Sequence, residues 1–134
     1  MATVTYHCIN CNEERIKGKN SFGKYCDNAC QGAYQTAQKV SLWLSGIEKG
    51  WSGKTRQLCQ YVKKYLKETR GTECSMCGWD GVHPADGASL TEIDHIDGDA
   101  ENCTPENLRI ICPNCHSMTD TFRARNKNSK RIRN

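Results

Sequence analysis

Apolar and polar residues alternate along this chain with two different periods. Ala33, Ala37, Val40, Leu44 and Ile47 recur at spacings of four, three, four and three, which marks one face of a helix. Asn28, with Gln31 three residues on, has the form of a capping box at its start. Three glycines between 45 and 54 predict a loop. A second helix is expected from about Thr55 to Arg70, with Leu58, Val62, Tyr65 and Leu66 on its buried side and Gly71 placed to end it. Leu90 to Asp94 alternates as a strand does, and Asn107 to Ile111 reads as a second short strand. Loops are expected at Gly81–Ser89 and around Gly98. Pro113 suits the first turn of a third helix, expected to run through His116 to about Arg125. From Asn126 the chain is polar and basic, and a frayed tail is expected.

Composition complicates this pattern. Leu, Ile, Val and Phe fill only 20 of 134 positions, about 15%, too few for an ordinary core of this length. No apolar run approaches the roughly 20 residues of a spanning helix, so a membrane protein is excluded, as is a large apolar-core enzyme. Ten cysteines supply the alternative, because small domains with little apolar surface are held by disulfides or by metal. Met1–Asn10 shows neither the basic nor the apolar region of an export signal, so reduced thiols are expected. The spacings agree with metal. Cys8 and Cys11, Cys74 and Cys77, and Cys112 and Cys115 form C-x2-C pairs, and Cys26 and Cys30 form C-x3-C. A tight knuckle presents two thiolates, and two knuckles complete a tetrahedral zinc site. Four pairs therefore predict two structural Zn²⁺, one on Cys8, Cys11, Cys26 and Cys30 and one on Cys74, Cys77, Cys112 and Cys115. Cys59 and Cys103 are left over as ordinary thiols. His7 offers itself as a replacement ligand at the first site. Trp43 and Trp79 are assigned to core. The two modules differ too much in spacing to be copies.

Charge divides the chain further. Residues 1–46 carry a net +2, residues 47–70 carry +5, residues 71–116 carry −8 and residues 117–134 carry +5. Counting eight thiolates and two Zn²⁺ takes the formal +4 to about zero, so any affinity for a polyanion must come from where the charge lies. The candidates are Lys54, Arg56, Lys63, Lys64, Lys67 and Arg70 on one side, and Arg123, Arg125, Lys127, Lys130, Arg131 and Arg133 on the other. A merely solvated surface is the competing reading of either basic segment. Arg109 is the single basic residue within the acidic segment, placed for a phosphate contact or a structural ion pair. These divisions give three parts: an N-terminal four-cysteine module with its helix (1–46), a basic linker and helix (47–71), and a second zinc module with a basic tail (72–134).

The acidic segment holds the most specific constellation. Asp94-His95 ends one expected strand, Asn107 begins the next, and His116 follows zinc cysteine Cys115 on the first turn of a helix. Asp97 and Asp99 read as turn formers, since their spacing does not follow a calcium loop. With both cysteine pairs flanking them, these four residues resemble the HNH nuclease motif. The similarity runs from about Ser41 to Phe122 through TRQLCQYVKKYL, CSMCGW, LTEIDHIDGD and PENLRIICPNCHSMTDTF, and is to small HNH endonucleases carried by bacteriophages. The N-terminal module lies outside the motif and is only loosely similar to accessory DNA-binding zinc modules.

The resemblance implies a small zinc-stabilised α+β chain with a ββα-metal, treble-clef-like nuclease domain. It implies His95 as general base and Asp94 and His116 as ligands of a catalytic divalent ion. It places Asn107 either as the group orienting His95 or in the metal shell. The chemistry suits those types: a neutral imidazole accepts a proton near neutral pH, and a sparse carboxylate–imidazole shell leaves room for phosphate and water. Mg²⁺ or Mn²⁺ is the expected ion, with Ni²⁺ or Zn²⁺ permitted by the imidazole ligand. His116 as a zinc ligand beside Cys115 is the alternative to its place in the catalytic shell. The implied function is a DNA endonuclease or nickase in the cytoplasm of a bacterial host, with a DNA-packaging terminase as a possible partner. Two competing functions are an inactive zinc-dependent DNA-binding adaptor and a structure-selective nuclease for branched DNA.

Overall fold

The computed structural model describes residues 2–132, so Arg133 lies outside the described residues. The chain forms two compact units, residues 1–41 and 42–134, and the boundary falls inside a helix. No helix among the described residues is long and apolar enough to cross a membrane.

In the first unit, β1 (Thr5–His7) pairs antiparallel with β2 (Glu14–Ile16), with Tyr6 opposite Arg15. The turn after β1 carries Cys8 and Cys11. Asn12, at φ 62°, closes it through its N–H to the Cys8 carbonyl at 2.8 Å. The Tyr6 hydroxyl donates to the Tyr25 carbonyl at 2.6 Å and so brings the second cysteine pair toward the first. Helix α1 (Asn28–Leu44) follows at once. Its start differs from the expected capping box: Asp27 Oδ1 accepts from the Cys30 N–H at 2.9 Å, so the cap is one residue earlier than Asn28. The expected apolar face of α1 is also not buried. Ala33, Ala37, Leu44 and Ile47 are exposed, and only Trp43 of this helix is buried. Alanines bury little area, and the helix is anchored at its first turn by the cysteine group rather than along a stripe.

In the second unit, β3 (Trp51–Ser52) pairs with β4 (Gln57–Leu58), and Trp51 faces Leu58. Left-handed Gly53 (φ 74°) and Arg56 (φ 51°) make the turn. This hairpin takes the first turn of the helix expected from Thr55, and α2 runs over Gln60–Arg70. Gly71 ends it at φ 80°, where a side chain would be strained. Leu58, Val62 and Leu66 join Trp43, Cys103 and Leu108 in one buried cluster, with Tyr65 packed edge-on to Trp43. Gly50 allows this packing, since a Cβ there would meet Trp43 Nε1 at 2.9 Å and the Cys103 Cβ at 3.3 Å.

Strands β5 (Glu92–His95) and β6 (Leu108–Ile111) form an antiparallel hairpin, with Asp94 opposite Arg109 and His95 opposite Leu108. Each begins slightly later than its sequence pattern suggested, and Asn107 closes a 3-10 turn instead of opening β6. Cys112 caps α3 (Pro113–Ser117), its sulfur accepting from the Cys115 N–H at 3.3 Å. The expected long third helix stops after five residues. Ser117 and Thr119 turn their hydroxyls back onto the carbonyls of Asn114 and His116, at 2.7 and 2.9 Å, and Arg123 sits left-handed at φ 50°. Trp79 is 45% exposed rather than core, its ring lying against the backbone of Gly81.

Residues 126–130, expected to fray, are instead held against the acidic loop. The Asn126 and Asn128 amides donate to the Gly98 and Asp97 carbonyls at 2.8 and 2.9 Å, and Lys130 Nζ lies 3.0 Å from Asp99 Oδ2. The acidic loop thus gives the basic tail a partner of opposite charge along Asp97–Glu101.

Candidate functional site

Two cysteine groups are assembled. In each, the four sulfurs of Cys8, Cys11, Cys26 and Cys30, or of Cys74, Cys77, Cys112 and Cys115, lie within 4.8 Å of one another and could hold a metal ion. The second group is built by the hairpin. Gly78 folds the Cys74 knuckle back through its N–H to the Cys74 carbonyl at 2.8 Å, and Ser75 ties the knuckle to the Ile110 carbonyl through both N–H and hydroxyl. The Cys112–Cys115 knuckle opens α3 from the end of β6. Burial works against the Cys74 thiolate, but N–H groups of Cys112, Cys77 and Met76 outweigh it and bring its pKa down to about 6. Among the described residues neither His116 nor His7 joins a four-cysteine group, and the His116 nitrogens lie near Glu92 and Asp94 instead.

Beside the second group, a cleft of about 560 Å³ is lined by Asp94, His95 and His116 from the hairpin and α3, and by Thr121, Phe122, Arg123, Asn126 and Arg131 from the following segment. Asp94 is 9% exposed. Its Oδ1 lies 3.6 Å from His116 Nε2, and its Oδ2 lies 2.9 Å from Arg109 Nη2. The other His116 nitrogen, Nδ1, lies 3.4 Å from Glu92 Oε2, and Phe122 packs edge-on to the ring at 5.2 Å. Each His116 nitrogen thus faces a carboxylate, and with the ring proton on Nδ1 toward Glu92 the Nε2 lone pair would be free for a cation beside Asp94. One anionic oxygen and one imidazole nitrogen therefore face each other across a gap open to the cleft, a donor set that fits a divalent cation. Thr121 Oγ1, enclosed in the same wall, has no hydrogen-bond partner among the described residues.

His95 is 7% exposed, and its Nε2 lies 3.3 Å from Cys103 Sγ. Burial pushes its pKa below the ordinary 6.5, the Arg131 guanidinium adds to this, and the carboxylates of Asp94, Asp97 and Asp99 oppose it. Its imidazole is therefore neutral at pH 7.

Asn107 comes to the site through the loop rather than through a side-chain contact with His95. Its Nδ2 donates to Asp97 Oδ1 at 2.9 Å and to the Asn102 carbonyl at 2.7 Å, its Oδ1 accepts from the Asp97 N–H, and its carbonyl accepts from the Ile96 N–H. Asp97 and Asp99 make successive turns onto the N–H groups of Asp99 and Glu101. Burial raises the Asp97 pKa, but these bonds and the Asn102 amide hold it below the usual 3.8.

Nine of the basic residues named as candidate phosphate contacts fall into two sets. Arg70 donates to the Leu108 and Pro105 carbonyls, Arg56 lies 3.4 Å from Glu101 and over Trp51, and Arg109 holds Asp94, so these three are engaged within the fold. Lys63, Lys64 and Lys67 share one side of α2. Lys54, Arg123 and Arg125 are exposed. Sequence reasoning gave no role to Glu92 or Cys103 and did not bring the tail to the cleft. Glu92 stood within reach of notice, two residues before Asp94 on one strand face, but nothing local signals the other two.

A cysteine-knuckled hairpin and helix bring a carboxylate and two histidines into one cleft of a small α+β domain whose cysteine groups could hold metal. Residues 74–121 match the HNH endonuclease family. Over 90 residues, 66% of its length, the chain is 35% identical to the H-N-H endonuclease F-TflIV of Escherichia phage T5. It spans 39% of that protein's length. No solved structure gives a significant match.

Proposed function

We propose that this chain is a metal-dependent DNA endonuclease or nickase that hydrolyses phosphodiester bonds with His95 as general base. The observation that carries this reading is the meeting of Asp94 Oδ1 and His116 Nε2 at 3.6 Å in the cleft that His95 also lines. In this reading β5, β6 and α3 are a ββα-metal element of treble-clef-like form, and both four-cysteine groups hold structural Zn²⁺. Asp94 and His116 hold the catalytic cation, Mg²⁺ or Mn²⁺ by preference for an oxygen-rich, open shell, with Ni²⁺ or Zn²⁺ tolerated through the imidazole. Such a cation, when bound, neutralises charge on the scissile phosphate and on the departing 3′ oxygen.

The protein's own groups do the remaining work. Neutral His95 takes the proton of the attacking water. Arg109 keeps Asp94 Oδ2 occupied, so that Oδ1 is the oxygen presented to the cleft. Asn107 fixes the loop that follows His95 and acts as a positioning group. Exposed Lys54, Lys64, Lys67, Arg123 and Arg125, with half-buried Lys63, neutralise flanking phosphates. Residues 1–46 serve as a further DNA-contacting module, residues 47–71 as a basic arm, and residues 72–134 as the nuclease domain, acting in the cytoplasm of a bacterial host. A packaging terminase is the protein partner this reading admits.

Plasmid cleavage with Mg²⁺ or Mn²⁺ tests it. His95→Ala should remain folded, bind DNA and lose at least about 100-fold in rate, the usual share of a general base. Equal cutting by wild type and variant removes the assigned mechanism. Binding without cutting by wild type returns the inactive DNA-binding reading, and cutting confined to junctions returns the structure-selective one.

A further inference from the structure

His95 has two ring nitrogens, and only one of them is engaged. Nε2 lies 3.3 Å from Cys103 Sγ, and Nδ1 makes no hydrogen bond among the described residues while the ring lines the cleft. A neutral imidazole carries its proton on one nitrogen and a lone pair on the other, so what touches Nε2 decides what Nδ1 can do. Cys103 is 3% exposed and belongs to the cluster of Trp43, Val62, Leu66 and Leu108. It is fixed from the other side as well: Trp43 Nε1 donates to its carbonyl at 2.7 Å. Its sulfur also lies 3.3 Å from the Ala100 carbonyl, which can only accept.

A thiol has a single hydrogen. With that hydrogen spent on Ala100 O, the sulfur is left as an acceptor, and Nε2 must carry the imidazole proton. We propose that Cys103 is a positioning residue for the general base, holding His95 as the Nε2–H tautomer so that the Nδ1 lone pair faces the cleft. This rests on the nuclease reading of His95. Burial pushes the Cys103 thiol up to about 12, so the sulfur keeps the hydrogen on which the arrangement depends. A neutral thiol also orients the ring without the charge of a carboxylate partner. The core thereby sets the tautomer of a residue in the cleft, and Asn107 is left to hold the loop.

The test uses the full zinc-loaded chain without added Mg²⁺ or Mn²⁺. Ring ¹⁵N shifts of neutral His95, assigned with His95→Ala, are read in wild type, Cys103→Ala and Cys103→Ser. Wild type and Cys103→Ser should show the Nε2–H tautomer, and Cys103→Ala a mixture. Val62→Ala, which loosens the same cluster but keeps the thiol, should show the wild-type tautomer. In plasmid cleavage, Cys103→Ala should lose about tenfold in kcat with KM unchanged, and Cys103→Ser should return to within about threefold of wild type. A proton on Nδ1 in wild type, or an unchanged tautomer in Cys103→Ala, overturns the proposal. A tautomer shift in a protein that never cuts DNA overturns the nuclease reading and leaves the Cys103–His95 bond standing.

Discussion

Arg109 and Asp94 stand directly opposite one another in the β5–β6 ladder, and the Arg109 guanidinium holds Asp94 Oδ2 through Nε at 3.0 Å and Nη2 at 2.9 Å. Both groups are largely shielded, so this pair is worth more than a surface bridge and its loss strands a carboxylate. An arginine so placed cannot also spread over a DNA phosphate. Arg109→Gln is therefore expected to lower cleavage by about tenfold or more while DNA affinity stays within about twofold, since no phosphate contact is lost. Filter binding and cleavage on the same DNA, run side by side, separate the two. A large drop in affinity with kcat intact would return Arg109 to the DNA-contacting set.

Glu92 addresses His116 from the side opposite Asp94. A carboxylate at 3.4 Å from Nδ1 can accept an N–H there and so orient the ring with Nε2 toward Asp94. Glu92 is about two-thirds exposed, so solvent weakens the effect and the low end of the usual range applies. Glu92→Gln should raise the Mn²⁺ concentration for half-maximal cleavage by about tenfold, with the saturated rate nearly unchanged. An unaltered Mn²⁺ titration would reduce Glu92 to a solvated strand residue.

The two cysteine groups should fail separately. Ile111, Cys74, Cys112 and Cys115 form the only buried cluster beneath the hairpin's outer end among the described residues, so little apolar area replaces a lost metal there. Structural zinc contributes about 10 kcal/mol or more to folding in such modules. Cys112→Ser is expected to lose that Zn²⁺ and the dispersed amide spectrum of residues 72–122. Cys8→Ser should release the other ion and leave those amides dispersed. Metal content by mass spectrometry under native conditions, read with an amide correlation spectrum, decides. A zinc-loaded, native-like Cys112→Ser protein would contradict the assignment.

Much of the site was legible because its information is local. Cysteine spacing marks the knuckles, and Asp94-His95, Asn107 and Cys115-His116 sit at element ends that the hairpin brings together. What was not legible came from long-range geometry. The third helix ends early because Ser117 and Thr119 bond back to their own turn, a competition that helical periodicity cannot show. The tail is held by amide and lysine contacts to Asp97–Asp99 some thirty residues away. Apolar spacing suggested a buried face on α1 because Ala33 and Ala37 fit the period, yet side chains that small need no core. Cys103 looked like a spare thiol because its partner, His95, is separated from it by the acidic loop.

Cys103 should also leave a signature in alkaline stability. Its folded-state pKa, raised by burial to about 12 from an ordinary 9.0, favours the thiol in the native protein. The sign follows from proton linkage. Between pH 9 and 12 the unfolded chain has lost the proton and the native chain has kept it. Stability therefore falls as pH rises, at most by about 1.4 kcal/mol per pH unit from this one group. Below pH 9 the contribution is complete and constant. Serine does not ionise in this range, so Cys103→Ser removes the dependence while keeping a hydrogen-bonding atom beside Nε2. Urea unfolding of both proteins from pH 8 to 11, with reductant present, should show the wild type losing stability relative to the variant above pH 9. The zinc thiolates and tyrosines titrate alike in the two and cancel in the difference. A constant difference across that range would mean that the Cys103 thiol is open to solvent, and the bond to His95 would lose its buried setting.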